Sequence, residues 1–194
     1  MKTFPLRTLV FLALCCDLGL FSKRLIAPAA NLFTDFLHIP GGVGTSFSLM
    51  FLVVAAATVE RFGCAAIMGA VQSGLALAFG MVGSMGALSA IGYIVPGIVI
   101  DLLLAATRKS PLSQRDRVVL ANTAAAPCAA LTANVSVFHL HGAVLLFYLC
   151  VAASSGAVFG LAGAELARRL TPIFGAKLQQ GRSKTRGGVS HEKN

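Results

Sequence analysis

The chain has 194 residues, 56% of them hydrophobic and only 12% charged, with a net charge of +9 and a mean hydropathy of +0.80. Soluble domains carry about a quarter charged residues, so that class is excluded, together with disordered chains and small disulfide scaffolds. The positive balance would suit nucleic acid in a soluble protein, but here the basic residues flank apolar runs, which points to orientation in a membrane and to no nucleic-acid partner.

Charged residues are absent from 62–100 (39 residues) and from 118–164 (47 residues). One crossing takes about 20 apolar residues, so each gap holds two helices and a tight connection. In chain order, spans are predicted at 6–21, 45–59, 62–80, 84–107, 117–138 and 142–170. The fold class is therefore an all-α integral membrane protein with six transmembrane helices. Residues 1–170 form the membrane domain. The tail, 171–194, is rich in Gly, Gln, Ser, Lys and Arg and reads as a disordered basic extension attracted to anionic lipid. The first span begins like a signal peptide, but Asp17 interrupts its apolar run and no A-x-A site follows, so it is expected to stay.

Basic residues set the topology. Lys2, Arg7, Arg61, Arg108, Lys109, Arg115, Arg117 and the seven from Arg168 to Lys193 all fall on one side of a six-span arrangement. A multi-pass protein of the cell membrane with both termini cytoplasmic follows. Lys23 and Arg24 are the exceptions, expected in the first outer connection as a headgroup anchor or an entrance guard. The five cysteines all lie in apolar runs without C-x-x-C spacing, so they read as small buried apolar residues.

The connection at 24–44 is too broken by Pro28, Pro40, Gly41, Gly42 and Gly44 to be expected as a crossing helix, and too apolar for a plain solvated loop. Irregular backbone at membrane depth is tolerated where it lines a cavity. Asn31, Asp35 and His38 recur at helical spacing, so a partly re-entrant lid facing a substrate is expected there. Within the spans, Gln72, Ser84, Tyr93 and Asn134 offer hydrogen-bonding groups weighted toward the outer half. Such groups either join helices or line a pocket. Pro96-Gly97 invites a kink in the fourth span. Asp17 and Asp101 are acids inside spans, expected to pair with Lys23 or Arg24 and with Arg61 or Arg108. Cys15-x-x-x-Gly19, Ala65-x-x-x-Gly69 and Gly156-x-x-x-Gly160 allow close helix approach.

No P-loop, H-E-x-x-H or G-x-S-x-G occurs, and His139 and His141 lack a carboxylate neighbour, so no enzyme and no metal site is expected. Three further segments carry a likeness: Asn31 through IPGG (39–42), GCAAIMGAVQ (63–72) and GSMGALSAIGYIVPGIVID (83–101). Over residues 12–104 the chain resembles the substrate-binding S components of energy-coupling factor (ECF) transporters. That resemblance implies capture of a small vitamin or precursor near the outer face, with a thiamine-related pyrimidine as the favoured class. It implies a transmembrane coupling subunit and two ATPase subunits as partners, so the chain itself holds no cofactor and ATP is used elsewhere. Small residues of the first span meet the coupling subunit in that family, and Ala13, Cys15 and Gly19 are the nearest match, although Asp17 replaces the second alanine of the usual pair. The expected binding residues are Asn31, Asp35, His38, Gln72, Ser84, Tyr93 and Asn134. The alternatives are an accessory membrane subunit without ligand and a proton-coupled solute carrier.

Overall fold

The computed structural model describes residues 6–36, 43–80 and 89–172. Six helices account for nearly all of them: α1 Leu6–Phe36, α2 Val43–Val59, α3 Cys64–Ala78, α4 Ser89–Ala106, α5 Gln114–Ala133 and α6 Gly142–Leu170. A 3-10 turn at Thr107–Lys109 ends α4, and a π-helical turn at Asn134–Phe138 ends α5. Among the described residues, three helices are long and apolar enough to cross a membrane, at Ala90–Lys109, Gln114–Ser136 and Gly142–Leu170. Helices α2 and α3 are apolar but shorter, with 17 and 15 residues.

The first connection departs from expectation. Helical backbone continues from Leu6 through Lys23, Arg24 and Pro28 to Phe36, 31 residues in all. At 1.5 Å per residue that is about 46 Å, longer than a hydrocarbon core of about 30 Å. Proline lacks an N–H and crowds the carbonyl four residues earlier, which favours a break. Here the flanking Ala27, Ala29 and Ala30 are strong helix formers, and the helix carries through. Residues 24–36 thus continue the first helix instead of starting a separate connection, and 37–42 lie outside the described residues. The remaining helix boundaries lie within about five residues of the expected spans, with 84–88 outside the described residues, and α6 has the expected bounds.

Helix α2 is the axis of the bundle. It packs on α1, α3, α4, α5 and α6, and Leu52, Val53, Val54 and Ala55 are at most 1% exposed. A helix apolar on every face is suited to that position. The surrounding core is built largely from small side chains, among them Cys15, Cys16, Cys64, Ala65, Ala121, Ala125, Ala164 and Ala167. Small side chains let helix axes come close where water cannot drive association. Gly69 of α3 lies so near α4 that a Cβ there would sit 2.5 Å from the Tyr93 carbonyl oxygen, and one at Gly97 of α4 would sit 2.6 Å from that of Ala65. Gly156 and Gly160 give α6 the same approach to α5, against Asn122, Ala126 and Val119. Gly19 of α1 likewise lies close to Gln72 of α3 and Ser48 of α2, so all three small-residue motifs join neighbouring helices inside the bundle.

Hydroxyl groups fasten α2 to its neighbours. Ser48 Oγ donates to the Gly19 carbonyl at 2.9 Å, and Ser46 and Ser155 share a hydrogen bond of 2.8 Å. Phe47 packs edge-on against Phe51 and Phe159, tying α2 to α6.

Candidate functional site

Among the described residues, one end of the bundle gathers arginines. There, Arg61, Arg108 and Arg117 border a cleft of about 90 Å³ together with Glu60 and Asp101. Arg115 and Arg168 border a second groove at the same end, between the start of α5 and the end of α6. Arg117 closes the end of α4: its Nη2 donates to the Leu104 carbonyl at 3.1 Å, and its Nε to Thr107 Oγ1 at 3.4 Å. A guanidinium suits a helix C-terminus, where carbonyls lack intrahelical donors.

Asp101 closes the start of α3 in the same way with opposite sign. Its carboxylate oxygens accept the N–H groups of Ala65 at 3.1 Å and Ala66 at 2.8 Å. The residue preceding α3, Gly63, has φ of 86° and no side chain to cap with, so the cap is supplied by α4. These backbone bonds were not expected; Arg61 and Arg108, the expected partners, border the same cleft. Asp17 also differs from expectation, because six residues of helix turn Lys23 to another face: Asp17 is exposed while Lys23 is half-buried.

Away from the basic end, α1, α3 and α4 meet at a polar corner. Gln72, 1% exposed, donates from Nε2 to the Cys16 carbonyl at 3.1 Å. Gly19 makes room for that amide, since a Cβ there would lie 2.6 Å from Nε2. One turn further along α1, Lys23 Nζ donates to Tyr93 Oη at 3.2 Å and lies 4.2 Å from the centre of the Tyr93 ring. Successive turns of α1 thus carry Gln72 and Tyr93, two of the residues expected at the site. Asn134 is used differently. Its Nδ2 donates to the Leu140 carbonyl at 3.2 Å and its Oδ1 accepts the Leu140 N–H at 2.7 Å, clamping the connection between α5 and α6. Of the others, Asn31 and Asp35 lie on the α1 backbone with side chains outside the described residues, as His38 and Ser84 are altogether.

Of the small residues expected at a partner surface, Ala13 faces outward, whereas Cys15 is 5% exposed and Gly19 packs on Gln72 and Ser48. The outward face of α1 carries instead Val10, Ala13, Leu14, Asp17, Leu18 and Phe21. His139, at φ 48°, and His141 are exposed, and among the described residues no three His, Cys, Asp or Glu side chains gather as metal ligands. Sequence reasoning missed the Lys23–Tyr93 pair, because Lys23 was expected in a connection and not on a helix facing α4. The Asp101 cap had a signal in the sequence: an apolar helix start preceded by glycine instead of Ser, Thr, Asp or Asn. The chain matches no protein-family profile, no curated protein and no solved structure.

Proposed function

We propose that this chain is the substrate-capture subunit of an ECF-type, ATP-driven importer, holding a small vitamin or vitamin precursor near the outer face. The observation that carries this reading is the polar corner, where Lys23, Gln72 and Tyr93 stand on three helices away from the basic end. Polar groups converging between apolar helices are how a small solute is oriented in a membrane pocket. With α1, α2 and α3 completing six crossings, the basic end is cytoplasmic by the excess of Lys and Arg there, and the corner then opens outward. In this reading Asn31, Asp35, His38 and Ser84 remain the further residues expected to bind the solute.

The partners in this reading are a transmembrane coupling subunit and two ATPase subunits. Asp17 supports a protein neighbour on α1. It is exposed amid Ala13, Leu14, Leu18 and Phe21 and has no hydrogen bond or ion pair among the described residues. An ionisable group on a lipid-facing helix is costly unless another protein covers it. The test of the proposal is native mass spectrometry of the purified chain released from mild detergent. A solute of a few hundred daltons at one to one is expected. An empty protein, with no thermal shift across a vitamin panel, refutes capture.

A second reading, an accessory membrane subunit without ligand, is favoured by one specific observation. The amides of Gln72 and Asn134 both bond to backbone groups of this chain, as helix-joining residues do. The same mass spectrum separates the two.

A further inference from the structure

Among the described residues Lys23 is a cation with no acidic side chain beside it. It is half-buried between α1 and α4, and of its three N–H donors one reaches Tyr93 Oη. The ring beneath it supplies a cation–π attraction, which offsets part of the desolvation of an ammonium but does not neutralise it. The chain holds seven acids in all. Asp17 points away on the exposed face of α1. Asp35 is twelve helical residues further on, about 18 Å along the axis. Asp101 is held by Ala65 and Ala66, eight residues or about 12 Å down α4 from Tyr93. Glu60 borders the cleft at the basic end, Asp116 bonds to Ser113, and Glu165 pairs with Arg168 and Arg169. Glu192 lies outside the described residues. No described acid therefore reaches Lys23.

We infer that Lys23 and Tyr93 form an anion-recognition site, and that its occupant carries a carboxylate or phosphate group that pairs with the Lys23 ammonium. A half-buried ammonium with donors left over among the described residues recruits an anion because pairing restores the solvation lost on burial. The inference rests on the capture reading above and narrows its substrate class to acids, setting it apart from a neutral pyrimidine. A phosphate in the outer lipid leaflet offers the same chemistry as a free solute, so the test separates the two.

The chain contains two tyrosines and no tryptophan, so Tyr148→Phe leaves Tyr93 as the sole intrinsic fluorophore. In nanodiscs of phosphatidylcholine, this variant is titrated with inorganic phosphate, benzoate and the neutral benzamide, while Tyr93 emission and the thermal midpoint are followed. Saturable changes with at least one anion are expected, at least tenfold tighter than with benzamide. Lys23→Gln should abolish them and Lys23→Arg should restore them. Equal response to benzamide, persistence in Lys23→Gln, or no saturable change with either anion overturns the inference. In phosphatidylglycerol nanodiscs, an emission change already complete before any solute is added makes a lipid headgroup the occupant; it upholds the anion site and removes it from solute capture. A neutral or cationic solute co-purifying with the chain does the reverse: capture stands and the anion site falls.

Discussion

Asp101 of α4 and Ala66 of α3 are joined by a hydrogen bond of 2.8 Å from the Ala66 N–H to the carboxylate. The neighbouring Ala65 N–H takes the other carboxylate oxygen, so a side chain 4% exposed starts a helix other than its own. Cap residues contribute about 1 kcal/mol at exposed sites, and hydrogen bonds to charged groups about 1.5–3 kcal/mol. Asp101→Ala leaves two buried N–H groups without acceptors and should cost about 2–4 kcal/mol. Asp101→Asn keeps one acceptor oxygen and should lose about half as much. Reversible unfolding in mixed micelles measures both; equal stability of all three proteins would show the cap to be idle.

Gly69 and Gly97 set the distance between α3 and α4. Alanine at either position drives a methyl group into a backbone carbonyl, and overpacking of this kind typically costs 1–3 kcal/mol. Gly74 is the control on the same helix, since nothing lies within 4 Å of its added Cβ. Gly74→Ala should raise stability slightly, by up to about 1 kcal/mol, through better helix propensity. Thermal midpoints of the three variants in one detergent check the contrast.

Asn134 clamps both backbone groups of Leu140. Asn134→Ala should lower stability by about 1–2 kcal/mol and loosen the connection to α6. Proteolysis between α5 and α6 should quicken in proportion. A variant of unchanged stability that no longer retains solute would return Asn134 to the binding site.

Gln72 and Asn31 separate the two functional readings. In a capture subunit, Gln72→Ala or Asn31→Ala weakens solute binding by tenfold or more with the fold retained. Unchanged affinity in both removes these side chains from the site.

On the coupling reading, Asp17 contacts a neighbour of opposite charge or with a hydrogen-bond donor. Asp17→Leu should leave the isolated chain at least as stable and its solute affinity unchanged, while ATP-driven uptake falls. Uptake at the wild-type rate would place the coupling surface elsewhere.

Much of the bundle was legible because apolar length and charge position are properties of the sequence itself. Residues 142–170 were bounded by the last turn-forming Gly142 and the Arg168-Arg169 pair, and α6 begins and ends there. The continuation of α1 was not legible, because Pro28 is a strong local signal for a break, and nothing local in the sequence shows that the helix runs through it to Phe36. The roles of Gln72, Tyr93 and Asn134 were hidden for another reason. Sequence shows that a buried amide or hydroxyl needs a partner, whereas the partner comes from a helix fifty or more residues away for Gln72 and Tyr93, and from a nearby turn for Asn134. Lys23 and Asp17 are six residues apart on one helix, and only the helix phase tells which faces a neighbour.

The central place of α2 has a bearing on biogenesis. It is synthesised second but is enclosed only when α5 and α6 arrive, about sixty to a hundred residues of chain later. On the six-crossing reading, at translation rates of about 5–20 residues per second, it waits several seconds with its future α5 and α6 faces against lipid. Its near-continuous apolar surface makes that interval tolerable, and the Ser46–Ser155 hydrogen bond forms only once α6 is in place. A nascent chain stopped after α4 would leave those two faces of α2 without their neighbours.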